Sequence, residues 1–219
     1  MGLYSRHIFP RLMDHVMSGA EFQQLRMELL ESAGDQVLEI GLGTGLNLPH
    51  YPNTVSRLCA VDPFPLLPDR LAARSEAVPF PIEISHISAE RLPYDDRTFD
   101  CVVSTWTLCT IPDPVTALRE VRRVLRADGR FLFLEHGRSD EATIAAWQDR
   151  LNPLQRMIGC GCNLNRKIDQ LIEQAGLTMQ QLERFKMRSV PRLGGEMYRG
   201  TAVPTPASAL RQRPLHEGR

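Results

Sequence analysis

Short apolar runs at residues 36–40, 57–61, 82–87, 99–105 and 130–135 recur along the chain, and helical stretches near 65–77 and 114–127 separate several of them. Strands joined through helical crossovers run parallel, and a parallel sheet built in this way is covered by helices on both faces. The best-marked crossover is 114–127. Asp113 is placed to cap it, Pro114 suits its first turn, Leu118, Val121 and Leu125 form an apolar stripe, and Gly129 lies just past its end. Its arginines at 119, 122, 123 and 126 read as a solvated helix face. Two helices are expected over 4–32, the second carrying Phe22, Leu25, Met27, Leu29 and Leu30. After the fifth strand come helices at 143–158 and 165–175, then strands at 178–186 and 197–203. The expected organisation is one α/β domain over 1–203, opened by a helical section at 1–34 and followed by a mobile tail, 204–219, that has little to bury.

The first strand runs into EIGLGTGLN, with glycines at 41, 43 and 45. A glycine loop at the carboxyl edge of an open α/β sheet lies where such sheets bind ligands, because backbone can approach the ligand closely there. A dinucleotide loop would read G-x-G-x-x-G, but position 46 is Leu and the third glycine has moved to 45, which argues against a pyrophosphate. Pro49 and Pro52 also cut short any helix that could offer an anion its N-terminus. Three glycines alone would suit a plain tight turn. Asp62, at the end of the second strand, adds a carboxylate able to accept both hydroxyls of a ribose.

Composition narrows the partners. The 26 Lys and Arg balance the 26 Asp and Glu, so no global field draws the chain onto nucleic acid or anionic lipid. No run approaches the ~18 apolar residues of a membrane span, and the N-terminal residues lack a signal-peptide core. A soluble, cytoplasmic protein is expected. Cysteines 59, 101 and 109 fall in apolar strand-like runs as buried thiols, whereas Cys160 and Cys162 lie in the polar loop GCGCN. Structural disulfides are not expected. With no second cysteine pair at zinc spacing, neither is a metal.

The E-x-G-x-G-x-G loop, the acid ending strand two, SAERLPYDDRTFDCVVSTWTL and REVRRVLRADGRFLFLEH resemble the class I methyltransferases that use S-adenosylmethionine. More narrowly, EIGLGTGLNLPHYP, VSTWTLCTIPDP, FLEHGRS, GCGCNLNRK and YRGTA are similar to the thiol S-methyltransferases of the methyltransferase-like protein 7 family. The resemblance implies a Rossmann-like, seven-stranded, mostly parallel sheet in the order 3-2-1-4-5-7-6, with the last strand antiparallel. It implies that Glu39, Gly41, Gly43 and Gly45 line the methionine half of the cofactor, that Asp62 binds the ribose, and that Ser88, Ala89 and Glu90 border the adenine. Related enzymes often carry Asp where this chain has Ser88. Thr105 falls where such enzymes pass near the sulfonium. Mammalian members carry an apolar N-terminal anchor that has no counterpart in this sequence.

Methyl transfer from a sulfonium asks the protein mainly to align the acceptor and set its protonation state. An alkyl thiol has a pKa of about 8.5 and attacks as thiolate, so a base or a cationic neighbour helps. His136, ending strand five beside Glu135, is the candidate base, with a structural hydrogen-bonding role as its alternative. Trp147, Leu151, Leu154, Met157 and Ile158 recur at helical spacing and read as core. The preferred acceptor is a small thiol. Methylation of oxygen, nitrogen or a lipid head group, and a non-catalytic cofactor-binding role, stay open because acceptor identity lies outside the cofactor loop.

Overall fold

A computed structural model of the chain describes residues 3–64 and 66–206. All seven expected strands form: β1 (Gln36–Ile40), β2 (Arg57–Val61), β3 (Ile82–Ser85), β4 (Phe99–Thr105), β5 (Leu125–His136), β6 (Leu177–Lys186) and β7 (Glu196–Pro204). They make one sheet in the order β3-β2-β1-β4-β5-β7-β6. The first five strands pair in parallel, and β7 runs antiparallel to both β5 and β6. The order reverses between β1 and β4, which opens a crevice at their carboxyl ends.

The central strands are buried on both faces. Phe131 and Phe133 pack on one side with Leu38, Ile40 and Val102, whereas Leu132 and Leu134 pack on the other with Val37, Cys101 and Val103. Helices α1 (Phe9–Met17), α2 (Ala20–Leu30), α3 (Pro68–Glu76), α4 (Pro114–Val124), α5 (Ala142–Ile158) and α6 (Ile168–Gln174) surround the sheet. Each side chain of the Leu or Phe class removed from water contributes about 1.5–3 kcal/mol, so the two apolar layers hold the sheet in place.

Local chemistry accounts for the element ends. Asp113 accepts the Thr116 N–H and caps α4, with Pro114 in the first turn. The helix stops at Val124 and not near 127, because Leu125 is fully buried and already pairs with Phe99. Partnering then jumps from Leu125 to Arg130 between Phe99 and Cys101, so β5 begins earlier than its apolar run suggests. Helix α3 starts at Pro68, after Leu67 in a left-handed conformation. After the glycine loop a single turn, Leu48–His50, replaces a helix, as the two prolines require.

Three sequence expectations are corrected. On α5 only Ala145 and Gln148 are buried, while Trp147 is 51% and Met157 71% exposed. The helix is anchored by polar groups on a neighbouring face: Gln148 accepts the Ser139 N–H and donates to the Gly137 and Leu193 carbonyls, and Asn152 accepts the Leu164 N–H. On α2 the buried stripe is Phe22, Leu25, Arg26, Leu29 and Leu30, and Met27 faces out. Cys109 lies in the turn beyond β4 and not in a strand, although it is buried. At the other end Pro204 still pairs with Leu177, and residues 207–219 of the expected tail lie outside the described residues. Among the described residues no helix is long and apolar enough to cross a membrane.

The helical opening section is fastened across the glycine loop by one residue. Asp14, on α1, is 3% exposed. It accepts from Thr44 Oγ1 at 2.5 Å and Arg74 Nη1 at 2.7 Å, and it pairs with Arg70. Burial alone would raise its pKa, but Arg74, Thr44 and Arg70 outweigh burial and hold it at about 2. The contact is therefore ionised throughout the ordinary pH range. Asp14→Asn should cost about 1–2 kcal/mol, below the value for a fully buried pair because the arginines are partly solvated. Hydrogen exchange should show α1 amides losing protection while the sheet keeps its own; uniform loss would mean that Asp14 holds the whole fold.

Candidate active site

The three loop glycines have different reasons. All take positive φ: 79° at Gly41, 58° at Gly43 and 80° at Gly45. A Cβ on Gly41 would stand 2.1 Å from Thr107 Oγ1, and one on Gly45 would stand 2.9 Å from Leu71 Cδ1. Both positions are closed by packing. A Cβ on Gly43 would meet nothing within 4 Å, since it faces a cleft of about 860 Å³. Glu39, Gly41, Gly43, Asp62, Ser88, Ala89, Glu90, Thr105 and His136 all line this cleft, and Gly45 does not.

At the β2 end, Asp62 fastens the loop. Its carboxylate accepts the Gly43 N–H at 2.9 Å and the Phe64 N–H at 3.0 Å. Burial raises its pKa, and these two donors oppose the rise. A carboxylate has about four acceptor sites, so capacity for a diol remains. Further along the cleft, Ser88 Oγ donates to Glu90 Oε2 at 2.8 Å, and Glu90 Oε1 accepts the Asp113 N–H at 2.7 Å. Ser88 therefore serves Glu90 first, and Glu90 ties the segment to the start of α4.

Glu39 is buried at the end of β1, where Asn47 Nδ2 and Tyr51 Oη donate to it at 2.9 and 2.7 Å. Burial pushes its pKa up to about 7 against those hydrogen bonds. Asn47 also donates to Thr105 Oγ1 at 3.0 Å, so the ends of β1 and β4 are joined through one amide. Above them sits Arg26, 2% exposed, 4.7 Å over the Trp106 ring, with Nη1 donating to the Met17 carbonyl. Its Nε is buried with no partner. A signal for Arg26 was present: it occupies the third place of the stripe Phe22, Leu25, Arg26, Leu29, Leu30, where apolar residues belong.

The β4 and β5 ends build the other wall. Glu135 is fully buried and accepts from Ser104 Oγ at 2.6 Å, Thr107 N at 3.1 Å and Leu108 N at 3.2 Å. Burial raises it to about 7. It shapes the turn that carries Cys109. His136, the next residue, faces the cleft with Nε2 3.2 Å from Cys162 Sγ, and its Nδ1 has no partner. Cys162 is turned inward by Cys160 and Gly161, both at positive φ, and Cys160 is left exposed. The Cys109 thiol has two acceptors in reach, the Trp106 carbonyl at 3.6 Å and the Cys162 sulfur. The neighbouring Cys109 and then His136 hold Cys162 down at about 4 against burial, and Cys109 is pushed up in turn. Residues far apart in sequence meet here. Cys162 thus meets Cys109 and His136, and its sequence neighbour Cys160 stays outside the cluster.

A family profile described as a methyltransferase domain matches residues 38–133, which span β1 to β5. The human thiol S-methyltransferase TMT1A is 32% identical over 75% of this chain and 70% of its own length. The chain belongs to the S-adenosylmethionine-dependent class I methyltransferases. The rat thiol S-methyltransferase TMT1B is 35% identical over 67% of the chain, and the match spans 62% of that relative's length. Among solved structures, the Burkholderia thailandensis 1,6-didemethyltoxoflavin-N1-methyltransferase with bound 1,6-didemethyltoxoflavin and S-adenosylhomocysteine superposes with a TM-score of 0.61. It is 18% identical and covers 93% of this chain and 85% of its own, a likeness of fold. S-adenosylmethionine is the cofactor of this methyltransferase.

Two expected outcomes follow from the loop and Glu39. Asn tolerates left-handed backbone, so Gly43→Asn should fold while its side chain enters the cleft. Cofactor affinity measured by calorimetry should fall at least tenfold; unchanged affinity would make the loop a structural turn only. Glu39 has a folded pKa raised from 4.5 to about 7. Its contribution to stability is therefore full below pH 4.5 and lost as pH rises to about 7. Without cofactor, Glu39→Gln should gain on the wild type by on the order of 3 kcal/mol across that window in chemical denaturation. A gap independent of pH would show that the buried carboxylate ionises without cost.

Proposed function

We propose that this methyltransferase methylates the sulfur of a small, largely apolar thiol. The residues fit the cofactor: Gly43 faces open space, Asp62 keeps acceptor capacity for a diol, and the unpaired Nε of Arg26 suits a carboxylate. When bound, S-adenosylmethionine supplies an electrophilic methyl group and its own leaving group. The chain has then to exclude water, orient the acceptor and favour its reactive protonation state. Phe9, Met13, Met17, Phe22, Met187 and Met197 give the cleft an apolar lining suited to such an acceptor.

One observation carries the choice of sulfur. The carboxylates in the cleft are already engaged: Asp14 by Thr44 and two arginines, Glu39 by Asn47 and Tyr51, Glu90 by Ser88 and Asp113, and Asp62 by Gly43 and Phe64 with its remaining capacity assigned to the ribose. None is free to take a proton from an alcohol or to hold an ammonium. The group beside the β5 end is instead a sulfur and imidazole cluster. A thiol needs only mild assistance to ionise, about one and a half pH units at neutrality, and His136 is placed to give it. The similarity to the human and rat thiol S-methyltransferases supports the same reading.

Incubation with S-adenosylmethionine and matched six-carbon substrates should yield the methyl thioether from hexanethiol, with hexylamine and hexanol left unchanged. Product from the amine or the alcohol, with none from the thiol, would overturn the sulfur assignment. His136→Ala should lower turnover of the thiol about 10²- to 10⁴-fold, with cofactor affinity unchanged. An equal loss of cofactor binding would make His136 part of the cofactor wall.

A further inference from the structure

Cys109, His136 and Cys162 come from three separate elements: the turn after β4, the end of β5 and the loop between α5 and α6. Their two sulfurs and one ring nitrogen all lie within 4.8 Å of one another. The set is clamped from both sides. Asn163 donates twice to the Cys109 carbonyl, from N and from Nδ2, each at 2.9 Å. Arg166 donates to the Leu108 and Ile111 carbonyls on either side of Cys109, and Glu135 accepts the Leu108 N–H. Two loops that could drift apart are thus fixed with their donor atoms converging, and all three side chains line the cleft.

We propose that Cys109, His136 and Cys162 form a three-ligand zinc site whose fourth position takes the acceptor thiol. At Zn–S bonds of about 2.3 Å and Zn–N bonds of about 2.0–2.1 Å, tetrahedral ligands stand roughly 3.4–3.8 Å apart. The observed 3.2 Å between His136 and Cys162 is a few tenths of an ångström from that spacing, and no donor pair in the set is farther apart than 4.8 Å, so side-chain shifts of up to about 1 Å complete the arrangement. Two thiolates and an imidazole select a borderline-soft ion over calcium or magnesium, which take oxygen. Three protein ligands with one open position is the pattern of a catalytic zinc, whereas structural sites are closed by a fourth. Cys160 is exposed and outside the converging set, so it does not close this one.

With His136 on the metal its imidazole no longer takes the acceptor's proton, and the metal ionises the thiol in its place. Zinc binds both cysteines as thiolates and His136 as neutral imidazole, so every proton these three side chains carry goes to solvent. The acceptor sulfur then replaces a water on the metal and loses its own proton to solvent, arriving as a bound thiolate with no change of oxidation state. Two protein thiolates neutralise the dication, so the bound acceptor adds one negative charge, and the Arg166 guanidinium lies near enough to interact with both cysteines. The acceptor arm of this proposal rests on the thiol reading; the metal arm does not.

The test uses the whole chain, prepared with a phosphine reductant so that a Cys109–Cys162 disulfide cannot form. Competition with a chromophoric zinc chelator should give one equivalent of tightly bound zinc. Cys162→Ala, Cys109→Ser and His136→Ala should each weaken it at least 100-fold, while Cys160→Ser keeps it. Circular dichroism checks that each variant is folded, and Cys162→Ala, whose site is only partly buried, is the variant best placed to stay so. Cobalt in place of zinc should give a sulfur-to-cobalt charge-transfer band that shifts when hexanethiol is added and not when hexanol is. A wild type that binds zinc no better than Cys162→Ala overturns the proposal. If that same protein methylates hexanethiol, the thiol reading stands without the metal. A cobalt band indifferent to the thiol leaves a metal but removes the acceptor role, and so overturns the proposal as stated.

Discussion

A buried carboxylate with three donors fixes how the sheet edge becomes a site. Glu135 has no solvent, and Ser104 Oγ, Thr107 N and Leu108 N are the groups that compensate it. Ser104 lies beside Phe133 in the β4–β5 register, so the contact also locks the alignment of those strands. Strands that are apolar on both faces specify register weakly by pattern alone. Polar residues near their carboxyl ends specify it strongly, because a slip would leave a carboxylate without donors. The same contact folds the turn after β4 back toward β5, bringing Cys109 to His136. Registry and site geometry are two results of one interaction.

Glu39 plays the matching part at the crevice between β1 and β4. Its oxygens are held by Asn47 and Tyr51, and Asn47 reaches Thr105 on the facing strand. The strand ends therefore meet through polar side chains where the sheet order reverses, and the glycine loop is left free to present backbone. Asp62 secures that loop from β2. Burial raises the pKa of Glu39 and Asp62, which line the cleft, and of Glu135 behind its wall, so acids at the strand ends hold structure as well as border the site.

Much of this was legible in the sequence, and what was not has physical reasons. The strands could be read because buried parallel strands announce themselves locally as apolar runs, whereas their order came only from the resemblance to the class I methyltransferases. The α5 stripe misled: helical period identifies a face without saying what that face meets, and Gln148 and Asn152 anchor the helix by a different one. Met27 was counted with the core on composition, while strict spacing would have selected Arg26. The cysteine cluster could not be read at all from spacing. Its members belong to separate crossovers, and only the β4–β5 adjacency and the inward-turning loop at Gly161 bring them together.

The fastening of α1 through Asp14 makes its hold on the cleft sensitive to salt. The helix presents Phe9, Met13 and Met17 to the cleft, yet it is tied down by charge to Arg70 and Arg74, one of them half solvated. Salt acts on these two kinds of contact in opposite directions. Added ions screen the solvated part of the ionic tie, while strongly hydrated salts such as sulfate tighten apolar contact. The strength of the α1 contact therefore depends on the kind of ion in solution as well as on its amount. At equal ionic strength, sulfate therefore holds α1 on the cleft more firmly than chloride does, because both screen the ionic tie and only sulfate strengthens the apolar contact.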